Sequence, residues 1–376
     1  MSITLAAIGF HSAELLNPKV SVVLPRELGP SELSAWRGMQ AADSRLRSPF
    51  LAPEFALAVD RVRRDARVAV LEDSGRVVGF LAYQAGRFGA GRPIGASLCD
   101  CQGLVALAGI RFDAMSLLRG CGLSVLEFDH LLASQATFAG HHVAGTESYV
   151  MDLSQGYDAY LAERMSHSRK SLRKTFDKRR DLEAEVGEVS FELRSSNAQD
   201  LAALMKLKSA QFRRSGWPDR FSEGWVRALV EELFGAEGGG CVGMLSVLRA
   251  GGLPVAYIYA LAGQGMLATW FPAYDPVFGR QSPGLILHLR LAEAVAPLGV
   301  DTIDLGRGQE WYKDKLKTHD VALAEAWVAR PGAGALLRRL ERAPRDKVWG
   351  YVISHERLRR PARWVLRQAM SLGRRR

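Results

Sequence analysis

The chain of 376 residues is poor in cysteine: Cys99 and Cys101 stand one residue apart, and Cys121 and Cys241 stand alone. That spacing fits neither a paired-cysteine zinc module nor the dense disulfide framework of small secreted domains. The expectation is reduced, mostly buried thiols and no metal. The sequence also lacks any uninterrupted run of about 18 apolar residues, and its first residues do not combine a basic segment, an apolar stretch and a small-residue cleavage site. A cytoplasmic protein is expected, with peripheral contact at the inner membrane surface as a further expectation. Acidic residues are scarce in one place. From Arg338 to the end, thirteen Lys or Arg face three acidic residues, a surplus of ten that equals the net charge of the whole chain, +10. The body before it is therefore near neutral. Recognised nucleic-acid-binding motifs are missing too, so nucleic acid is not the expected partner of that charge.

What the chain has in plenty is hydrophobic residues, 48%. At this length they fill more than one core, so two domains are expected. Strand and helix patterns alternate in two rounds. In the first, "VSVVLP" reads as a strand, "GPSELSAWRGMQAA" as a helix, and "RVAVLEDSGRVVGFLAYQAG" as a hairpin turning on Asp-Ser-Gly. "GIRFDAMSLLRGCG" reads as a helix, "LSVLEFDHL" as a strand, and "HHVAGTESYVMDL" leads towards another. In the second, "VSFELRS" is a strand, and residues 197–216 form a helix capped by Asn197 and ended at Gly216. A three-strand meander with Gly-Gly and Gly-Gln-Gly turns follows, then a helix from about Gly284 to Leu298 and the strand "VDTIDLG". The order strand, helix, meander, helix, strand occurs twice. Between the rounds, eight of the seventeen residues from Arg164 to Arg180 are Lys or Arg, a charged connecting helix. Arg169, Lys170, Arg173 and Lys174 recur at spacings that share one face and suit an anionic group.

Two stretches carry chemistry. In "AYDPVFGRQSPGLILHL" a strand ends at Tyr274 and Asp275, a loop brings Arg280 and Gln281, and Ser-Pro-Gly opens an apolar helix. A helix start leaves N–H groups unpaired and adds partial positive charge, so it can cradle a pyrophosphate. Ser282 is the expected cap, Pro283 suits the first position, and Gly284 allows close approach of a ligand. His288, one turn inside, reads as a core histidine. In "IDLGRGQEWYKDKL" a strand runs into Gly306 and Gly308, and Glu310, Tyr312 and Lys313 follow. An acceptor attacking a thioester must lose a proton, which gives Glu310, Asp275 and Tyr274 as candidate bases and Lys313 as an electrostatic partner of the oxyanion or of an anionic acceptor.

The order of meander, helix start and following strand, with these two motifs, resembles the GNAT acyltransferases. Residues 273–316 in particular are similar to the CelD-type acetyltransferases of cellulose and exopolysaccharide biosynthesis, themselves similar to the FemAB peptidyltransferases with two GNAT-like domains. "SPFLAPEF" at 48–55, "IGASLCDCQGLV" at 94–105 and "SRKSLRK" at 168–174 also look like that family. The resemblance spans roughly residues 20–330. The pyrophosphate-loop pattern is matched at Gln281 and Gly284, while its second small residue is replaced by Ile286.

The resemblance implies an α/β protein with mixed sheets: a GNAT-like domain over 1–160, a basic connecting helix over 161–187, a GNAT-like acyltransferase domain over 188–332, and a basic amphipathic tail over 333–376. It implies acetyl-CoA or another acyl-CoA as co-substrate, held by Arg280, Gln281, Ser282, Gly284, Asp304 and Gly306. Glu310, Tyr312, Lys313 and Asp275 would do the chemistry, and Arg169, Arg173 and Arg307 would hold the acceptor. That acceptor is expected to be a small molecule such as a sugar or sugar nucleotide, acylated on nitrogen or oxygen in polysaccharide or cell-envelope biosynthesis. A FemAB-like transferase using aminoacyl-tRNA, or a non-catalytic accessory of a membrane polysaccharide machine, is the alternative. The tail, with Trp349, Tyr351 and Trp364 among its arginines, either packs on the body or lies on anionic membrane.

Overall fold

The computed structural model describes residues 14–308 and 310–341. Most of the basic tail, 342–376, lies outside the described residues. In chain order the first half contains β1 (Glu14–Leu16), β2 (Lys19–Val23), α1 (Pro30–Ala42), α2 (Pro53–Val62), β3 (Ala66–Asp73), β4 (Arg76–Ala85), β5 (Ala90–Pro93), β6 (Val105–Ala106), β7 (Ile110–Phe112), α3 (Ala114–Gly120), β8 (Val125–Leu132) and β9 (His142–Asp152). After the long helix α4 (Tyr157–Val186) come β10 (Val189–Glu192), α5 (Ala198–Ser215), α6 (Gly224–Phe234), β11 (Val242–Ala250), β12 (Leu253–Gly263), β13 (Met266–Tyr274), α7 (Pro283–Val295), β14 (Thr302–Arg307), α8 (Lys313–Leu316) and β15 (His319–Ala329).

Local chemistry sets many of these boundaries. Asn197 caps α5 by accepting the Gln199 N–H, and Gly216 ends it in the left-handed conformation. The hairpins turn on Ser74–Gly75, Gly251–Gly252 and Gln264–Gly265, all with positive φ, the tight turns that match strand twist. One reading is corrected. The stretch 109–122 is not helical throughout, because Ile110–Phe112 pairs in parallel with β1 and Asp113 then caps α3 through the Ser116 N–H.

Thirteen strands form one mixed sheet in the order β10-β11-β12-β13-β14-β9-β15-β8-β5-β4-β3-β2, with β6 on β4. Read inward from either edge, the strand senses are the same: three antiparallel neighbours, one parallel pair, one antiparallel pair. The chain is thus a tandem repeat, with β2, β3, β4, β5 and β8 answering to β10, β11, β12, β13 and β14. The innermost strands are exchanged. Strand β9, from the first half, pairs with β14 of the second, and β15, from the second, pairs with β8 of the first. Strands β9 and β15 pair with each other at the centre.

Apolar packing follows this sheet. One cluster runs through both halves, from Trp36 stacked on Phe80 at 4.8 Å to Phe50, Phe55 and Trp270. Two others cover the opposite face, beneath α4 and α7 in the second half and beneath α3 in the first. Among the described residues no helix is long and apolar enough to cross a membrane.

Candidate active site

The parallel pair β13–β14 is the repeat's point of divergence. Its register covers only Met266–Ala268 with Thr302–Asp304, after which β13 continues to Tyr274 and β14 to Arg307. Among the described residues the ladder between them ends there, leaving two facing strand edges. Lys208 of α5 donates to the Pro272 carbonyl on one edge at 2.9 Å. Lys313 donates to the Gly306 and Arg307 carbonyls on the other, at 3.1 and 2.9 Å. Burial, with Lys313 nearby, pushes the Lys208 ammonium down to about 8.

Lys313 is 4% exposed and pairs with the rim carboxylate Glu310 at 2.9 Å. Its charge is therefore part of the fold as well as of the site, since two carbonyls and a carboxylate depend on it. Gly306 and Gly308 are both at positive φ, and a Cβ at Gly308 would come within 2.7 Å of Glu310. The two glycines thus wrap the chain around Lys313 and Glu310. Tyr312 packs beside His288 at 5.3 Å, and burial raises its phenol pKa, which argues against a base at neutral pH. His288 is buried, and burial lowers its pKa to about 4.

Asp304 is also buried. Its Oδ1 accepts the Ser148 hydroxyl and the Gly306 N–H, so it fixes the turn and holds β9 to β14. Opposite Gly306 stands Asp100 of the first half, whose Oδ2 would lie 3.5 Å from a Cβ on that glycine. Burial pushes the Asp100 carboxyl up to about 6, against the pull of His130 and Lys313. His130 lies 3.8 Å from Asp100 and 3.1 Å from Asp129. Burial opposes its charge, but the two carboxylates outweigh it and raise its pKa.

A second cluster surrounds the start of α7. Ser282 sits at φ 52° and makes no side-chain cap. Its hydroxyl instead accepts from Lys178 of α4 at 2.6 Å, which corrects the expected capping role. Pro283 has no N–H, and Leu285 and Ile286 donate to the Ser282 carbonyl at 3.0 and 3.4 Å, which leaves the Gly284 N–H as the first-turn donor open to a ligand. Burial and the neighbouring Lys174 and Lys315 lower the Lys178 pKa, and Lys174 similarly lowers that of Lys315 after burial. Three ammonium groups thus converge where a helix begins. Arg280 and Gln281 are both held by Glu185, at 2.8 and 2.5 Å, and so brace the loop onto α4.

The remaining residues singled out in the sequence lie elsewhere in these networks. Asp275 accepts the Val277 N–H and caps the 276–281 turn. Arg307 bridges to the Asp129 carbonyl and Glu325, tying β14 to β8 and β15. Arg169 and Arg173 are exposed on α4. Sequence reading missed Lys178, Lys208, Asp100 and His130. Lys178 had a signal, since it continues the basic face one turn beyond Lys174. Asp100 lay inside a stretch already noted, whereas Lys208 and His130 acquire their setting only from distant chain.

Residues 167–314 match the family model described as "Acetyltransferase (GNAT) domain", a stretch that holds Lys208, Asp304, Glu310 and Lys313 of the first cluster and Lys174, Lys178 and Ser282 of the second. Searching curated proteins finds no match. Among solved structures, the chain is similar to the C-terminal domain ascribed to a lysylphosphatidylglycerol synthetase of Agrobacterium fabrum, at 14% identity over 82% of this chain and 94% of that one, TM-score 0.49. It is similar to a tandem GNAT protein from the clavulanic acid biosynthesis pathway, at 14% identity over 84% and 100%, TM-score 0.48. FemX is similar at 10% identity over 70% and 87%, TM-score 0.45.

Proposed function

We propose that the protein is an acyl-CoA-dependent acyltransferase working in the second half's cleft. The observation that carries this reading is the pairing of a splayed β13–β14 edge with a helix start at which Ser282 binds Lys178 rather than capping the helix. A pyrophosphate at α7 would meet the Gly284 N–H, the helix dipole, and Lys174, Lys178 and Lys315. The pantetheine arm, an extended amide chain, would run along the free edges of β13 and β14 and bring its thioester beside Lys313. There the buried ammonium favours negative charge on the carbonyl oxygen. Asp100, with a carboxyl near 6, is suited to take the proton from an attacking hydroxyl or amine. Glu310 stands at the rim beside Lys313.

The exposed basic face of α4 supports an anionic acceptor, and the CelD-type motifs support a sugar or sugar nucleotide of polysaccharide or cell-envelope assembly. Acetyl-CoA is the first donor to test. A ligand of the folded state stabilises it by about 2.7 kcal/mol at one hundred times its dissociation constant, so thermal unfolding with and without acetyl-CoA reads binding directly. No shift with acetyl-CoA or longer acyl-CoA would overturn the donor and favour the aminoacyl-tRNA alternative.

A further inference from the structure

Beyond β15 the chain passes Pro331–Gly332 into a helix over 333–341. This helix is clamped to the first half. A Cβ on Gly334 would come within 2.5 Å of the Ser124 hydroxyl and 2.8 Å of the Phe88 carbonyl, so only glycine fits there. One turn on, Arg338 is 8% exposed and binds Glu127 with two nitrogens, at 2.5 and 3.2 Å, and Glu341 at 2.5 Å. With positions 334 and 338 turned inward, the outer face carries Leu336, Leu337 and Leu340, exposed by 59, 44 and 60%. Their spacing makes one stripe. Phe88, whose carbonyl the helix touches, is 46% exposed and lies under the Arg87 guanidinium.

We infer that this leucine ridge is a docking surface for an anionic lipid membrane. Charge complementarity selects this occupant. The ridge leads directly into residues 342–376, which hold eleven Lys or Arg against two acidic residues, together with Trp349, Tyr351 and Trp364. Apolar side chains beside basic ones are the composition of an interfacial segment. A second copy would bring the same surplus of positive charge against itself. The clamp gives the ridge a fixed orientation. Because β14 and β15 are both antiparallel to β9, they run the same way, and the β13–β14 splay opens towards the end of the sheet that bears the helix.

The test uses the full chain and sedimentation with phosphatidylcholine vesicles, with and without phosphatidylglycerol, at low and physiological salt. Binding is expected only with phosphatidylglycerol and is expected to weaken, without vanishing, as salt rises. The double substitution Leu336→Ser, Leu340→Ser should lower vesicle affinity about tenfold and leave the melting temperature and the acetyl-CoA shift unchanged. Leu336→Met, Leu340→Met should restore binding. Equal binding by the serine variant would overturn the inference. So would equal binding to neutral vesicles, a lowered melting temperature, which would show that the chain's own residues cover the ridge, or a dimer in sedimentation equilibrium that the serine variant disperses.

Discussion

The two halves share one set of strand senses but treat the gap between their parallel strands in opposite ways. In the first half β5 and β8 pair only at Ala90–Gly91 with Val125–Leu126, and the chain then fills the gap itself. Gln102 bridges to Leu131, its N–H and carbonyl bonding the backbones of His130 and Leu132, while Val105 pairs with Phe80 on the far side. The Gln102 side chain closes the plug through Cys99, Asp129 and His130. What remains is an apolar cavity of about 20 Å³, room for about one water. In the second half the corresponding edges face lysine ammonium groups. The helix starts differ as well. Asp113 caps α3 with its own carboxylate, whereas Ser282 leaves α7 uncapped. The plugged half has become a wall that presents Asp100 and His130 to the other half's cleft.

Perturbations can break or sharpen this contrast. The largest effect is expected from Lys313→Met, which strands two buried carbonyls. Loss of about 2–3 kcal/mol in urea unfolding is expected, and parental stability would show that the ammonium is not structural. Next, Ser282→Asp sets a carboxylate against Lys178 at the start of α7, where a pyrophosphate would have to compete with it. Aspartate tolerates left-handed φ and can still meet Lys178, so the melting temperature should hold. Acetyl-CoA affinity by calorimetry should fall at least tenfold, about 1.4 kcal/mol. Gly284→Val should weaken binding similarly by obstructing a ligand at the helix start, since its Cβ would meet Tyr274 only at an ordinary 3.6 Å, whereas Met115→Val at the same position of α3 should leave binding unchanged.

An effect spread over pH, small at any one step, concerns Asp100. Between the ordinary carboxyl value of 3.8 and about 6 the folded chain keeps a proton that the unfolded chain has lost. This residue's contribution to stability therefore falls as pH rises through that window and is flat above it. Asp100→Asn should gain on the parent as pH rises across the window, at up to about 1.4 kcal/mol per pH unit, read by paired melting curves. A constant difference would remove Asp100 from the titrating groups. The smallest effect is expected from Arg169→Ser with Arg173→Ser, within about 0.5 kcal/mol in stability and without change in acetyl-CoA affinity. A weakened donor would place these arginines at the cofactor rather than the acceptor.

Much of this arrangement was legible in the sequence where it is local. The paired rounds of elements, the Ser-Pro-Gly helix start, the hairpin turns and the two-glycine turn all depend on residues within a few positions of one another. What could not be read depends on partners far along the chain. Ser282 looks like a cap until Lys178 arrives from α4. Lys313 looks solvated until the turn folds over it, and Arg307 looks free until Asp129 and Glu325 claim it. The plug and the exchange of β9 and β15 leave no periodic trace, because a strand that pairs with its own half and one that pairs with the other have the same pattern.

That exchange has a consequence for synthesis. Ser148 and Asp304, bonded across β9 and β14, are 156 residues apart, and β8 must wait still longer for β15. While the ribosome is extending the second half, the finished first half carries a bare strand edge on β8. Only β15, the last strand among the described residues, closes it, so sheet completion should be the slow step of folding. A nascent chain stalled before His319 is the species most exposed to aggregation.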